Sequence, residues 1–316
     1  MKIGLIDVDG KGKYPNLALM KISAYHKRKG DSVKWYEELF DGPPEQPMDR
    51  VYMSKVFTFT PDYEYVINAK EVIKGGTGYF YPDGGKELPK EIEHVYPDYE
   101  LYGIKDRAYG FLTRGCPRQC SFCVVKEKEG TTSRKVADLS EFWKGQKEIV
   151  LMDPNILACK DHMELLKQCA DSGARIEFNQ GIDARLLTEE NTKAIQKIKL
   201  KCIHFAWDRP KDEKSIVPKL KRFKEVTGIR DRDAIVYVLT NYDTTFKEDL
   251  YRVYTIRDIG MTPYVMIYNK DKTKRTDPVR RLQSWVNNKR IWYKDPKMKY
   301  EDFDRSKVRK EKIWTQ

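Results

Sequence analysis

Short apolar runs alternate with segments of helical spacing over the first hundred residues. Lys2–Val8 is predicted to form a strand, and the apolar spacing over Leu17–Lys29 indicates a helix that Gly30 ends. The pattern continues with predicted strands at Ser32–Tyr36 and Arg50–Phe57 and a predicted helix at Tyr63–Ala69. This order predicts an α/β domain with a small parallel sheet of the Rossmann or flavodoxin type. A stretch rich in proline, glycine and acids at Asp83–Tyr102 is predicted to be a linker.

A second, more regular series of strand-like segments starts at Ala108. Helical stretches separate the strands, and Asp161 with Glu164, Thr188, and Thr245 with Glu248 are predicted helix caps. Six βα units that wind in the right-handed sense predict a partial (β/α)6 barrel, in which chemistry lies at the carboxyl ends of the strands. The six predicted strands are Tyr109–Thr113, Glu148–Met152, Arg175–Asn179, Cys202–Ala206, Ala234–Thr240 and Pro263–Tyr268.

The residues after the last strand are strongly basic. Lys270–Gln316 has 16 Lys and Arg against 7 Asp and Glu, so this segment accounts for +9 of the net charge of +12. Asp277 and Pro278 predict the start of a helix with an apolar stripe along one side. The tail has two interpretations, a strip along nucleic acid or a helix that packs its tryptophans on the barrel, and the second is favoured because no nucleic-acid motif is recognised. The aromatic residues concerned are Trp285, Trp292, Tyr293 and Trp314.

Length and composition bound the class of protein. A chain of 316 residues predicts more than one domain, and we assign 1–105 to the Rossmann-like domain with its linker, 106–270 to the barrel and 271–316 to the basic extension. No apolar run is long enough for a membrane helix, and the short apolar stretch at the start is not a signal peptide. The predicted location is the cytoplasm, where the six cysteines would be reduced and available for metal or redox chemistry.

Three of these cysteines lie on one loop after the first barrel strand. Cys116, Cys120 and Cys123 have the spacing Cys-x3-Cys-x2-Cys. Three thiolates can hold three irons of a 4Fe–4S cluster and leave the fourth iron open. The alternative is structural zinc, which needs four ligands that commonly come in two pairs, and no fourth partner is evident in the sequence.

The loop RGCPRQCSFC, with Phe122 directly before the third cysteine, resembles that of the radical S-adenosylmethionine superfamily. Its Arg-Gly-Cys-Pro opening is most similar to cobalamin-binding-domain radical enzymes and to methylthiotransferases. The resemblance implies that the open iron binds S-adenosylmethionine and passes it one electron, which releases methionine and a 5′-deoxyadenosyl radical that abstracts hydrogen. It also implies a reductase partner such as flavodoxin or ferredoxin.

The first domain supports the cobalamin branch of the resemblance. Residues 6–20 and Val72–Tyr79, with candidate cofactor-binding residues Gly75 and Gly76, are similar to turns of cobalamin-type domains. The Asp-x-His-x-x-Gly signature is missing, which leaves cobalamin binding undecided. Methylthiotransferases carry a second cluster on earlier cysteines, and the absence of any cysteine before Cys116 argues against that activity.

Polar residues follow the barrel strands where a bound S-adenosylmethionine would need partners. Each of them has the alternative role of an ordinary cap or turn residue. Within the resemblance, Asp153 keeps a carboxylate where the superfamily usually has a Gly-Gly-Glu stretch. The candidate cofactor-binding residues are Asp153 and Asn155 after the second strand, Gln180 and Arg185 after the third, Asp208 after the fourth and Asn241 after the fifth.

The remaining cysteines, Cys159, Cys169 and Cys202, are predicted to be core or near-core residues, and His204 is the one histidine close to a candidate site residue. The sequence thus predicts a radical enzyme that modifies a substrate, with cobalamin-dependent methyl transfer as one reaction. Two alternatives stay open, a radical modification of RNA or nucleotides without cobalamin, and a zinc-stabilised nucleic-acid-binding protein.

Overall fold

The computed structural model describes residues 1–10, 14–43 and 45–306, and the chain forms two compact units, residues 1–175 and 176–316. Both units are of the α/β class with parallel strands, as predicted. Within the described ranges, no helix is both long and apolar enough to cross a membrane. The domain limits at residues 105 and 270 remain a prediction.

The first unit opens with a four-stranded parallel sheet in the order β2-β1-β3-β4. This is the order of the first four strands of a flavodoxin-like sheet. Its strands are β1 (Lys2–Asp7), β2 (Ser32–Trp35), β3 (Arg50–Ser54) and β4 (Val72–Gly75), and the helices are α1 (Leu17–Arg28), α2 (Glu38–Asp41) and α3 (Lys90–Glu93).

Alternation along β1 divides the core between the two faces of this sheet. Ile3 and Leu5 pack with the apolar side of α1, whereas Ile6 packs on the opposite face with Tyr36 and Met48. The two buried faces explain why the strand reads as a nearly continuous apolar run.

The predicted helix at Tyr63–Ala69 is wrong, because this segment is irregular. Tyr36 fixes its backbone instead: the Tyr36 hydroxyl donates to the Val66 carbonyl at 3.3 Å and accepts from the Asn68 N–H at 2.8 Å. Met48 then forms an isolated parallel bridge with Ala69. Tyr63 and Ile67, four residues apart, both pack against the sheet core from this irregular segment. A spacing of four residues also fits one turn of a helix, so the sequence alone cannot distinguish the two conformations.

The rest of the first unit carries the cysteine loop. Strands β5 and β8 pair in parallel, and β6 and β7 form a short antiparallel pair that the sequence did not predict. Asp161 directly precedes α5 but makes no side-chain capping bond, contrary to the predicted capping pair. The elements are β5 (Arg107–Gly110), β6 (Thr113–Arg114), α4 (Val125–Glu129), β7 (Arg134–Lys135), β8 (Glu148–Leu151) and α5 (His162–Asp171).

The second unit contains four parallel strands in sequence order, each paired with the next. Capping boxes at Thr188 and Thr245 start α6 and α8, as predicted, although Asn191 rather than an acid completes the first. The elements are β9 (Arg175–Ile182), α6 (Glu189–Gln196), β10 (Leu200–Ala206), α7 (Glu213–Thr227), β11 (Ala234–Thr240), α8 (Phe246–Asp258), β12 (Thr262–Ile267), α9 (Pro278–Val286) and α10 (Lys289–Lys294).

The basic tail packs into the core of this unit. Asp277 caps α9 through its carboxylate, which accepts from the Val279 N–H at 2.9 Å. Trp285 and Trp292 are 1% and 5% exposed and pack on β12 and α8, whereas Tyr293 is about one-third exposed. The packing interpretation therefore holds for both tryptophans, while Trp314 lies outside the described residues.

Candidate functional site

The start of the cysteine loop is fixed by backbone geometry. Gly115 has φ +85°, and a Cβ there would lie 2.2 Å from the Thr132 carbonyl oxygen, so only glycine fits. Its N–H donates to the Glu129 carboxylate at 3.2 Å, and the Cys116 N–H donates to the Gly130 carbonyl at 3.1 Å. The first cysteine is therefore anchored to the end of α4. The sequence reasoning missed these anchors, although a glutamate and a glycine follow within seven residues of Cys123.

The second half of the loop turns tightly. Gln119 has a left-handed φ of +48°, and the Cys123 N–H donates to the Cys120 carbonyl at 3.0 Å. Cys116, Cys120, Cys123 and Phe122 are half-buried, and the cysteines are thiols rather than disulfides. In the described part of the chain, no three His, Cys, Asp or Glu side chains are arranged around a single metal ion. In a 4Fe–4S cluster each thiolate binds a different iron, so such convergence on one ion is not required.

Asp153 connects β8 to the strand that leads into the cysteine loop. Its Oδ1 accepts from the Leu112 N–H at 3.0 Å, the Thr113 N–H at 2.5 Å and the Thr113 hydroxyl at 2.7 Å. Burial raises the pKa of Asp153 to about 6, and the hydrogen bonds from Thr113 and Leu112 oppose part of that rise. Its Oδ2 is buried and has no partner among the described residues.

Asn155 contacts the first cysteine directly. Its carboxamide is almost fully buried, and Nδ2 lies 3.5 Å from Cys116 Sγ, while Oδ1 is buried with no partner in the described ranges. A buried oxygen without a hydrogen bond is costly unless a ligand supplies one. The unpartnered oxygens belong to two residues that contact the start of the cysteine loop, at Thr113 and Cys116, and therefore fit a cluster with a polar ligand beside it.

The second unit carries the remaining barrel candidates. Asp208 is half-buried, and burial raises its pKa to about 6, with the positive charges of Arg252 and Arg185 opposing the rise. Arg185 donates to Asp183 at 2.8 Å and to Asp212 at 2.9 Å, so its guanidinium already has two carboxylate partners. The two other candidates, Gln180 and Asn241, are exposed.

Arg252 is a residue that the sequence reasoning missed. Its guanidinium is fully buried and donates to the carbonyls of Trp207 and Asp208 at 2.7 Å and of Leu239 at 2.8 Å. It also donates to the Asp249 carboxylate at 2.5 Å. Arg252 thus links the carboxyl ends of β10 and β11 by hydrogen bonds, one of which goes to the Asp208 carbonyl. An arginine on the same side of α8 as Val253 and Ile256 was the available signal.

Packing accounts for Gly76, one of the two candidate glycines of the first domain. Gly76 has φ +96°, and a Cβ would lie 2.4 Å from the Lys55 carbonyl oxygen, which also accepts from the Gly78 N–H at 2.8 Å. Gly75 precedes this turn at the end of β4. A cofactor role for Gly75 and Gly76 remains a prediction. Residues 11–13 of the other cobalamin-like segment lie outside the described residues.

The other cysteines and His204 belong to packed structure. Cys159 and Cys169 are 1% and 0% exposed, and burial raises the pKa of the Cys169 thiol. Cys202 is half-buried, and burial raises its pKa to about 12. The His204 Nδ1 lies 2.7 Å from the Phe178 carbonyl, and its ring stacks on Tyr237 at 5.1 Å.

Two curated proteins match part of the sequence, and no protein-family model matches. A CDK5RAP1-like protein of Oryza sativa subsp. japonica is 29% identical over 128 residues, which are 33% of this chain and 21% of that protein. The tRNA-2-methylthio-N(6)-dimethylallyladenosine synthase of Flavobacterium psychrophilum is 26% identical over 156 residues, 42% of this chain and 32% of that protein. The chain thus spans about a fifth to a third of the length of these relatives.

Among solved structures, that of Streptococcus suis SuiB bound to S-adenosylmethionine superposes with a TM-score of 0.43 at 13% identity, covering 58% of this chain and 47% of that one. The resemblance to a known family rests on the two sequence relatives and not on this superposition. One of them is named as a methylthio-group synthase, the kind of enzyme that the Arg-Gly-Cys-Pro loop resembles. The sequence matches support the resemblance of this chain to the radical S-adenosylmethionine superfamily.

Proposed function

We propose that this chain cleaves S-adenosylmethionine reductively at a 4Fe–4S cluster held by Cys116, Cys120 and Cys123. The proposal rests on the buried polar groups of Asp153 and Asn155, which contact the start of the cysteine loop. There a buried amide donates to the Cys116 thiol, and two buried oxygens have no partner in the described ranges. Such a site suits a cluster and a ligand with N–H groups to donate.

When bound, the cluster supplies the electron that breaks the sulfonium of S-adenosylmethionine and yields methionine and a 5′-deoxyadenosyl radical. The chain's own residues bind and orient the cofactor. Asp153 has a pKa of about 6 and is therefore mostly ionised at neutral pH, so its Oδ2 can accept from the ammonium group. The role of Asp208 in binding the ribose hydroxyls remains a prediction. A flavodoxin or ferredoxin delivers the electron.

The substrate class that we favour is an RNA nucleotide. The supporting observation is the name of the Flavobacterium relative, which describes a tRNA modification. Methylthio transfer is not part of the proposal, since residues 1–115 contain no cysteine for a second cluster. Cobalamin-dependent methyl transfer is the second candidate, supported by the glycine turn after β4, although packing against Lys55 already explains Gly76.

Anaerobic purification tests the cluster. The wild type is expected to be brown and to hold about four irons, and Cys120→Ala is expected to lose them. Cys202→Ala is the matched control, because it removes a half-buried thiol that is not part of the loop and is expected to keep the full iron content. A colourless wild type that holds one zinc would overturn the proposal and favour the zinc alternative.

Incubation with dithionite and S-adenosylmethionine tests the reaction. 5′-Deoxyadenosine alone indicates hydrogen abstraction, and S-adenosylhomocysteine beside it indicates methyl transfer. Addition of unmodified tRNA, followed by mass spectrometry of its nucleosides, is expected to show one altered nucleoside with the wild type and none with Cys120→Ala. An unchanged nucleoside profile together with a spectral change of added hydroxocobalamin would favour the cobalamin alternative.

A further inference from the structure

The backbone carbonyl of Asn155 is held by two hydrogen bonds, and its carboxamide is buried. Its backbone carbonyl accepts from the Ser133 hydroxyl at 3.0 Å and from the Ala158 N–H at 3.2 Å. The side chain is 2% exposed, so water does not compete for its amide. The Nδ2 lies 3.5 Å from Cys116 Sγ, a normal distance for an N–H donor and a sulfur acceptor.

Loading the cluster determines which end of the carboxamide faces the sulfur. A thiolate has no proton and accepts only, so the amide N–H must point to Sγ and the carbonyl oxygen away from it. Hydrogen bonds to charged acceptors are stronger than those to neutral ones, and burial strengthens them further. The contact at Cys116 is therefore more favourable with the thiolate than with the thiol seen here.

The same hydrogen bond stabilises the reduced state of a cluster more than the oxidised state. Reduction adds negative charge that spreads onto the cysteine sulfurs, and an N–H aimed at a sulfur stabilises the more negative state. Hydrogen bonds to the sulfurs are among the factors that set cluster potentials. Resting on the function proposed above, we infer that Asn155 is a positioning residue whose N–H bond to the Cys116 thiolate raises the reduction potential of the cluster.

The test measures the midpoint potential of the wild type and of Asn155→Leu, which has similar size and no donor. Both proteins are reconstituted anaerobically without S-adenosylmethionine, poised at a series of potentials and monitored by electron paramagnetic resonance of the reduced cluster. At the wild-type midpoint, the ratio of reduced to oxidised cluster in the variant is expected to be about three- to tenfold lower. Asn155→Gln, which retains an amide donor, is expected to recover part of this shift.

Ser133→Ala is the matched control. It removes the hydrogen bond to the Asn155 backbone and leaves the amide N–H in place, so its midpoint is expected to stay with the wild type. Asn155→Ala also removes the N–H and adds no charge, and it replaces the leucine variant if that protein does not fold or hold iron. Its cluster is expected to be harder to reduce than that of the wild type.

Two results overturn the inference while leaving the proposed function intact. One is a midpoint potential equal to that of the wild type in an Asn155→Leu protein that holds its full iron content. The other is a shift in Ser133→Ala as large as that in Asn155→Leu, because a loosened loop rather than the N–H···S bond would then be the cause. A wild type that holds no iron overturns the proposed function and this inference with it.

Discussion

At the scale of single residues, the two carboxylate oxygens of Asp153 have different environments. Oδ1 satisfies three donors at the start of the cysteine loop, and Oδ2 is buried without a partner in the described ranges. The sequence placed a carboxylate after β8 but gave no sign that one oxygen is already engaged. That division depends on Leu112 and Thr113, forty residues away, so only the folded chain decides it.

Asp153→Asn is expected to stabilise the protein at pH 7 by about 1–2 kcal/mol. The buried carboxyl has a pKa of about 6 against about 3.9 when unfolded, so its charge costs about 3 kcal/mol at neutral pH. Asparagine keeps the Oδ1 acceptor and removes that charge, although its new amide needs a partner and returns part of the gain. Urea unfolding at pH 7 measures the difference.

The dependence of stability on pH tests the sign of this effect. Because the folded pKa is raised, the protonated carboxyl of Asp153 favours the folded state. This contribution is complete below pH 4 and is lost as the pH rises through 6. The stability difference between Asp153→Asn and the wild type should therefore grow in favour of the variant from pH 4 to pH 7. Asp138→Asn is the control of opposite sign, since Lys135 lowers the pKa of Asp138. A difference for Asp153→Asn that does not change with pH would contradict the prediction.

At the scale of elements, most of the strands were predictable because their apolar runs are short and bounded by turns. The predicted helix at 63–69 was wrong because Tyr36 and Met48 bind that backbone from other elements. Local spacing carries no information about such long-range partners. Helix α8 shows the reverse case, since its capping box was readable while the role of Arg252 depends on two strand ends.

Arg252→Met is expected to destabilise the protein by about 3–5 kcal/mol, because it leaves the Asp249 carboxylate buried beside three unpaired carbonyls. The double variant Arg252→Met, Asp249→Leu should recover part of that loss, since no buried charge is then left alone. Arg222→Met, at an exposed ion pair with Glu189, should cost less than about 1 kcal/mol. The test is equilibrium unfolding of the wild type, the single variants Arg252→Met, Asp249→Leu and Arg222→Met, and the double variant. Strictly additive losses at 249 and 252 would contradict the prediction.

At the scale of the whole molecule, the basic and the aromatic residues of the tail lie in different environments. Its tryptophans are part of the core of the second unit, whereas Lys272, Lys274 and Arg275 are exposed. The sequence could show that basic and aromatic residues alternate in the tail. It could not show that the rings face inward, because burial is a property of the packed partners on β12 and α8.

Trp285→Ala is therefore expected to cost about 3–5 kcal/mol of stability, the usual range for removing a buried tryptophan. Trp285→Phe should cost less, since the indole N–H has no partner among the described residues and only part of the volume is lost. Urea unfolding checks both values. Tyr293→Ala, at a more exposed ring, is the comparison and should cost less than Trp285→Ala.

Replacing Lys272, Lys274 and Arg275 together by glutamine tests the tail as an RNA-binding surface. If each contacts a phosphate, the slope of log affinity for tRNA against log salt should become shallower by about 2 to 3. The control replaces Lys211, Lys214 and Lys221, three exposed lysines in the segment around α7, and is expected to leave the slope unchanged. Equal effects of the two triple variants would show that net charge alone, and not the tail, sets the affinity.

The sequence alone determined the class of fold, the positions of most strands, the helix caps at Thr188 and Thr245 and the three cysteines on one loop. These features depend on local spacing and residue chemistry, which are written along the chain. Only the tertiary structure decided that Asn155 contacts Cys116, that Asp153 keeps one oxygen without a partner and that Arg252 joins two strand ends. Those features arise where distant segments meet, and their energies depend on burial that no local pattern records.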